Sequence, residues 1–72
     1  MAIEKVTLPV ARKIANLTQK GLALAVGVSE STVLNWEKGR AEPTVFQAQK
    51  ISEVTGIPLD SIIFLQSNTV KP

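Results

Sequence analysis

From Val6 to Leu65 the apolar residues recur at three- and four-residue steps, in short runs broken by capping and glycine signals. That period describes helices which each bury one face. Thr7 is a candidate N-cap for a first helix, with Pro9 tolerated in its first turn. Leu8, Ala11 and Ala15 form its apolar stripe, and Asn16-Leu17 close it. Thr18 caps a second helix running to about Val26, and Gly27 ends it where a left-handed backbone is easiest. Ser29 opens a third helix through Trp36 and Glu37, stopped by Gly39. Pro43-Thr44 opens a fourth, and Thr44 with Gln47 spells a capping box. Ala48, Ile51, Val54 and Thr55 give its inner face, and Gly56 terminates it. Leu59 to Leu65 reads as a last short apolar helix. The predicted fold is all-α, a compact bundle of about five short helices. Ile3, Val6, Phe64 and Leu65 offer a competing arrangement as short paired strands, which the helical reading sets aside.

The connection between the second and third helices carries Gly27 in its first position. A brief glycine turn sets two short helices at a steep angle rather than antiparallel. The third helix then projects from the body, with one face free to enter a groove. Residues 1–6 and 66–72 read as tails around a domain over residues 7–65.

Composition narrows the chemistry. The chain has 72 residues, enough for one small domain whose core stabilises it only modestly, so oligomerisation would help. Apolar residues are 44% and charged residues 19%, a globular rather than disordered balance. With one Trp and two Phe the core must be aliphatic. A net charge of +2 permits a nucleic-acid partner without arguing for one. Cys and His are absent, so there is no disulfide, thiolate ligand or imidazole base. Ser29 and Ser31 have no evident base and the glycines are isolated, so neither an enzyme nor a bound cofactor or metal is expected. No run reaches membrane-spanning length and no signal-peptide core is visible, which leads to an expectation of an intracellular, cytoplasmic location.

The stretch LTQKGLALAVGVSESTVLNWEKG resembles the lambda-repressor/Cro-type (XRE-like) helix-turn-helix family. The matching points are Leu17-Thr18-Gln19, Leu22-Ala23, Gly27-Val28-Ser29, Thr32-Val33, Trp36-Glu37 and Gly39, extending to Arg12, Pro43, Gly56-Ile57 and Leu59-Asp60. The likeness covers about residues 7 to 65. The short length and the ending Ile62-Ile63-Phe64-Leu65 are also similar to small Cro-like regulators of phages and prophages.

That resemblance implies a DNA-binding regulator of transcription, acting as a homodimer on a double-stranded operator. It places the third helix in the major groove, with Ser29, Glu30, Ser31, Leu34 and Asn35 facing outward. Asn35 could bond adenine through its amide, Ser31 either partner at a base edge, and Leu34 a thymine methyl. Glu30 could accept from cytosine N4, although it repels phosphate. Gln19 is expected at the DNA backbone, with Lys20, Lys38 and Arg40 neutralising phosphates. The competing description of these side chains is an ordinary solvated surface, and Lys13 and Lys50 fit that better. Arg12 and Glu37 are expected to pair, tying the first helix to the end of the third. Trp36 is expected in the core.

Some residues depart from the family pattern. Gly21 and Leu24 on the second helix, and Phe46 on the fourth, stand where polar residues are usual. Together with Leu34 they could be scattered apolar surface or a protein-binding face. The latter would suit an antirepressor that grips a cognate phage repressor. Ile57, Pro58, Leu59, Phe64 and Leu65 are the candidate dimer surface.

Overall fold

The computed structural model describes residues 5–64. The order of elements is β1 (Val6–Thr7), α1 (Leu8–Ile14), α2 (Gln19–Val26), α3 (Glu30–Glu37), α4 (Val45–Thr55), a 3-10 turn (Leu59–Ser61) and β2 (Ile62–Ile63). Local chemistry explains most boundaries. Thr18, Ser29 and Thr44 each accept a backbone N–H from the third helical residue beyond them. At Thr44 the reciprocal bond from the backbone N–H to Gln47 Oε1 completes the capping box. Thr7 has the cap backbone but makes no side-chain cap bond. Pro9 removes one of the N–H groups that such a cap would serve. Gly27 ends α2 at φ 90° and meets nothing within 4 Å of an added Cβ, so its need is purely conformational.

Each helix gives one or two residues to a single aliphatic core: Leu8 and Ala11, Leu22 and Ala23, Val33 and Trp36, and Ile51. Ile62 of β2 closes it. Ala48 and Val54, expected on the inner face of α4, are half-buried beside the fully buried Ile51. Buried Thr55 donates from its hydroxyl to the Ile51 carbonyl, which lets a polar side chain sit inside.

Two expectations are corrected. The chain is not all-α, and among the described residues no fifth α-helix follows α4. The first part of the expected helix is one 3-10 turn, and Ile62 and Ile63 are extended and pair in parallel with Val6 and Thr7. The β-branched pair favours a strand, and alternation puts Ile62 into the core and Ile63 outward. The strand alternative was right for Val6, but its partner is Ile62 and Phe64 lies beyond β2. Ile3 and Leu65 lie outside the described residues, as does the tail 66–72.

The expected Arg12–Glu37 pair forms and fixes α3. Arg12 Nε donates to Glu37 Oε2 at 2.7 Å, and Nη2 reaches Oε1 at 3.4 Å. Arg12 Nη1 donates to the Leu17 carbonyl at 3.0 Å, in the link to α2. Only 13% and 7% of the two side chains are exposed. Stranding either charge alone at such burial costs about 3 kcal/mol or more. Arg12→Met and Glu37→Met should each show that loss in urea denaturation. The double variant should lose less than the sum, because its apolar pair strands no charge. Strict additivity would contradict the contact.

Candidate nucleic-acid interface

The core-facing residues of α3 are Val33 and Trp36, both at most 2% exposed. A helix advances about 100° per residue, so the opposite face carries Ser31, Asn35 and Lys38 in one row. Glu30 and Leu34 form the next row. Glu30, Ser31 and Lys38 are exposed, and Leu34 and Asn35 are half-buried. Thus five of the expected residues share one outward face of α3 and its cap.

Ser29 differs. Its hydroxyl accepts from the Thr32 N–H at 3.1 Å and lies 2.8 Å from Thr32 Oγ1. It serves chiefly as the N-cap. Ser29 is exposed at the start of α3, and satisfying the helix start occupies its oxygen.

After α3 the chain folds back on itself. The Asn35 carbonyl accepts from the Arg40 and Ala41 N–H groups, at 2.9 and 3.4 Å. Lys38 and Arg40 are thereby held at the end of α3, both exposed. Lys20 is exposed in the first turn of α2. Among the described residues Arg12–Glu37 is the one ion pair, so Lys20, Lys38, Arg40 and Glu30 have no such partner there. The face therefore has an acid at the start of α3 and cations at its end. Lys13 on α1 and Lys50 on α4 are also exposed, but neither belongs to that row.

Gln19 opens α2, as expected, but its side chain is engaged. Nε2 donates to Glu37 Oε1 at 2.9 Å. No local spacing in the sequence announces this partner, which is 18 residues away.

The apolar candidates separate. Leu24 is 74% exposed and Phe46 is 83% exposed, while Leu34 is half-buried. Gly21 does not leave an open notch. A Cβ there would meet Thr18 Oγ1 at 3.2 Å and Leu17 Cδ2 at 3.5 Å, both from this chain. Sequence reasoning missed Val45 beside Phe46, and Val10 with Ile14 on α1, all exposed. The four-residue spacing of Val10 and Ile14 was the available signal for a second apolar stripe.

Among the described residues no helix is long and apolar enough to cross a membrane. The family model described as helix-turn-helix matches residues 10–62. Two proteins are similar over most of their length. An uncharacterised HTH-type transcriptional regulator of Methanocaldococcus jannaschii is 35% identical over 57 residues, 79% of this chain and 86% of the relative. Another, from Methanothermobacter thermautotrophicus, is 42% identical over 61 residues, 83% of this chain and 88% of the relative. No solved structure matches the chain significantly. With three-quarters of its length inside the family model and its turn, caps and outward helix face in place, the chain belongs to the helix-turn-helix family.

Proposed function

We propose that this protein is a sequence-specific DNA-binding regulator of transcription, with α3 in the major groove. The observation that carries the reading is the outward face of α3, where Glu30, Ser31, Leu34 and Asn35 stand beside Lys38 and Arg40. Amide, hydroxyl and carboxylate groups there can read base edges, and the cations can hold phosphates. The similarity to HTH-type transcriptional regulators supports the same conclusion. In its finer form the proposal is a Cro-like regulator of a phage or prophage switch, working in the host cytoplasm. It would bind as a homodimer, through Ile57, Pro58 and Leu59 with Phe64. Exposed Pro58 and Leu59 support that surface. Leu65, the remaining residue of the proposed surface, lies outside the described residues.

A second reading rests on Leu24 and Phe46, two large apolar side chains left in solvent. They suit an antirepressor that binds a repressor protein. The two readings separate in one experiment, which selects duplexes from a random pool with the protein alone. Enrichment of a defined sequence supports the DNA regulator. Absence of enrichment, together with calorimetric heat on mixing with a repressor encoded nearby, supports the antirepressor.

On the selected duplex, Asn35→Ala and Ser31→Ala should each relax preference at one base position, by about 1–3 kcal/mol for a good bidentate contact. Lys20→Ala, Lys38→Ala and Arg40→Ala should weaken all duplexes alike, each lowering the salt slope by about one. If both groups of variants bind like the parent, another surface meets DNA.

Dimer assembly is tested separately. Family-type dimers span half-sites about one helical turn apart. Sedimentation on a full palindrome should show two copies, and Leu59→Glu should reduce this to one. A monomer that holds an isolated half-site as tightly as the palindrome would contradict the dimer.

A further inference from the structure

We propose that Gln19 is a positioning residue that sets the orientation of α3 through Glu37, and so governs base discrimination rather than general affinity. The inference rests on the reading of α3 as the groove-facing helix. Gln19 begins α2, and Glu37 ends α3. Their 2.9 Å hydrogen bond ties the C-terminal end of α3 to the start of α2. The other end is already tied by the covalent turn at Gly27.

The amide orientation is settled by chemistry. A carboxylate offers only acceptors, so the Gln19 amide must present its N–H to Glu37. Arg12 occupies Oε2 at 2.7 Å and reaches Oε1 only at 3.4 Å. Gln19 is therefore the closer donor to Oε1. Arg12 alone would hold the carboxylate by one short bond and one long one. The second donor fixes its plane, and with it the rotation of α3 about its own axis.

Small rotations matter at this site. Side-chain tips on a helix lie about 5 Å from its axis, so a 20° turn moves them about 2 Å. That displacement breaks a hydrogen bond to a base edge. A phosphate contact made by a long, flexible Lys tolerates it. Losing the Gln19 bond should thus blur Ser31 and Asn35 readout while leaving Lys20, Lys38 and Arg40 effective.

The experiment measures the affinity ratio between the selected duplex and a scrambled one, at a temperature where every variant is folded by circular dichroism. Gln19→Ala should lower this ratio about tenfold, the scale of one hydrogen bond to a charged group. Affinity for the scrambled duplex should stay within about twofold. Gln19→Glu should lower the ratio further, because it sets a second carboxylate against Glu37. Gln19→Met, of similar length but with no donor for Glu37, should lower the ratio as Gln19→Ala does. Because the ratio compares two duplexes of equal charge, repulsion between Glu at position 19 and phosphate largely cancels. A Gln19→Ala loss shared equally by both duplexes would make Gln19 a plain backbone contact and overturn the proposal. So would a ratio unchanged in Gln19→Ala and Gln19→Met. A parent protein with no preferred duplex would instead overturn the DNA-regulator reading, and this inference with it.

Discussion

Glu37 is an acid at the end of a short helix, with only 7% of its side chain exposed. A carboxylate at that depth must be paired or lose far more than a small domain can supply. Arg12 brings charge from α1, and Gln19 brings an amide from α2. The Leu17 carbonyl takes a further guanidinium N–H, so Arg12 cannot swing away without losing two partners. Three helices are thus registered around one side chain. Because α3 has only eight residues, its own length does little to hold its direction. Buried Val33 and Trp36, the turn at Gly27 and the contacts at Glu37 together define which residues it turns outward.

The distribution of charge along α3 follows from that arrangement. Glu30 lies in the first turn, where the helix dipole favours an acid and Ser29 caps the exposed amides. Lys38 and Arg40 gather at the other end, where the carbonyl of Asn35 folds the chain back. A modest net charge of +2 therefore conceals a local asymmetry that whole-chain composition does not reveal. It places the cations at one end of the outward face, next to the polar side chains of Ser31 and Asn35.

How much of this was legible in the sequence depended on the range of the interaction. Thr18, Ser29, Thr44, Gly27 and Gly56 were read correctly because caps and left-handed stops are chemistry among near neighbours. Ile62 and Ile63 were misread because a two-residue strand has no period to distinguish it from an apolar helix. What makes it a strand is Val6, from the other end of the described chain. Arg12 and Glu37 were paired through the family likeness, not through spacing. Gln19 was assigned to a DNA phosphate by the same likeness, which carried no information about its bond to Glu37.

The central claim is that the face of α3 opposite Val33 and Trp36 is the surface that meets DNA. Its most direct test is an NMR titration of the isotope-labelled chain with a selected duplex, following each backbone amide. The account predicts the largest shifts at Ser31, Asn35 and Lys38, with Gln19 and Lys20 moving alongside them. Val10 and Ile14, on the exposed stripe of α1, should hold still. Shifts concentrated on that α1 stripe, or around Leu24 and Phe46 with α3 unmoved, would contradict it.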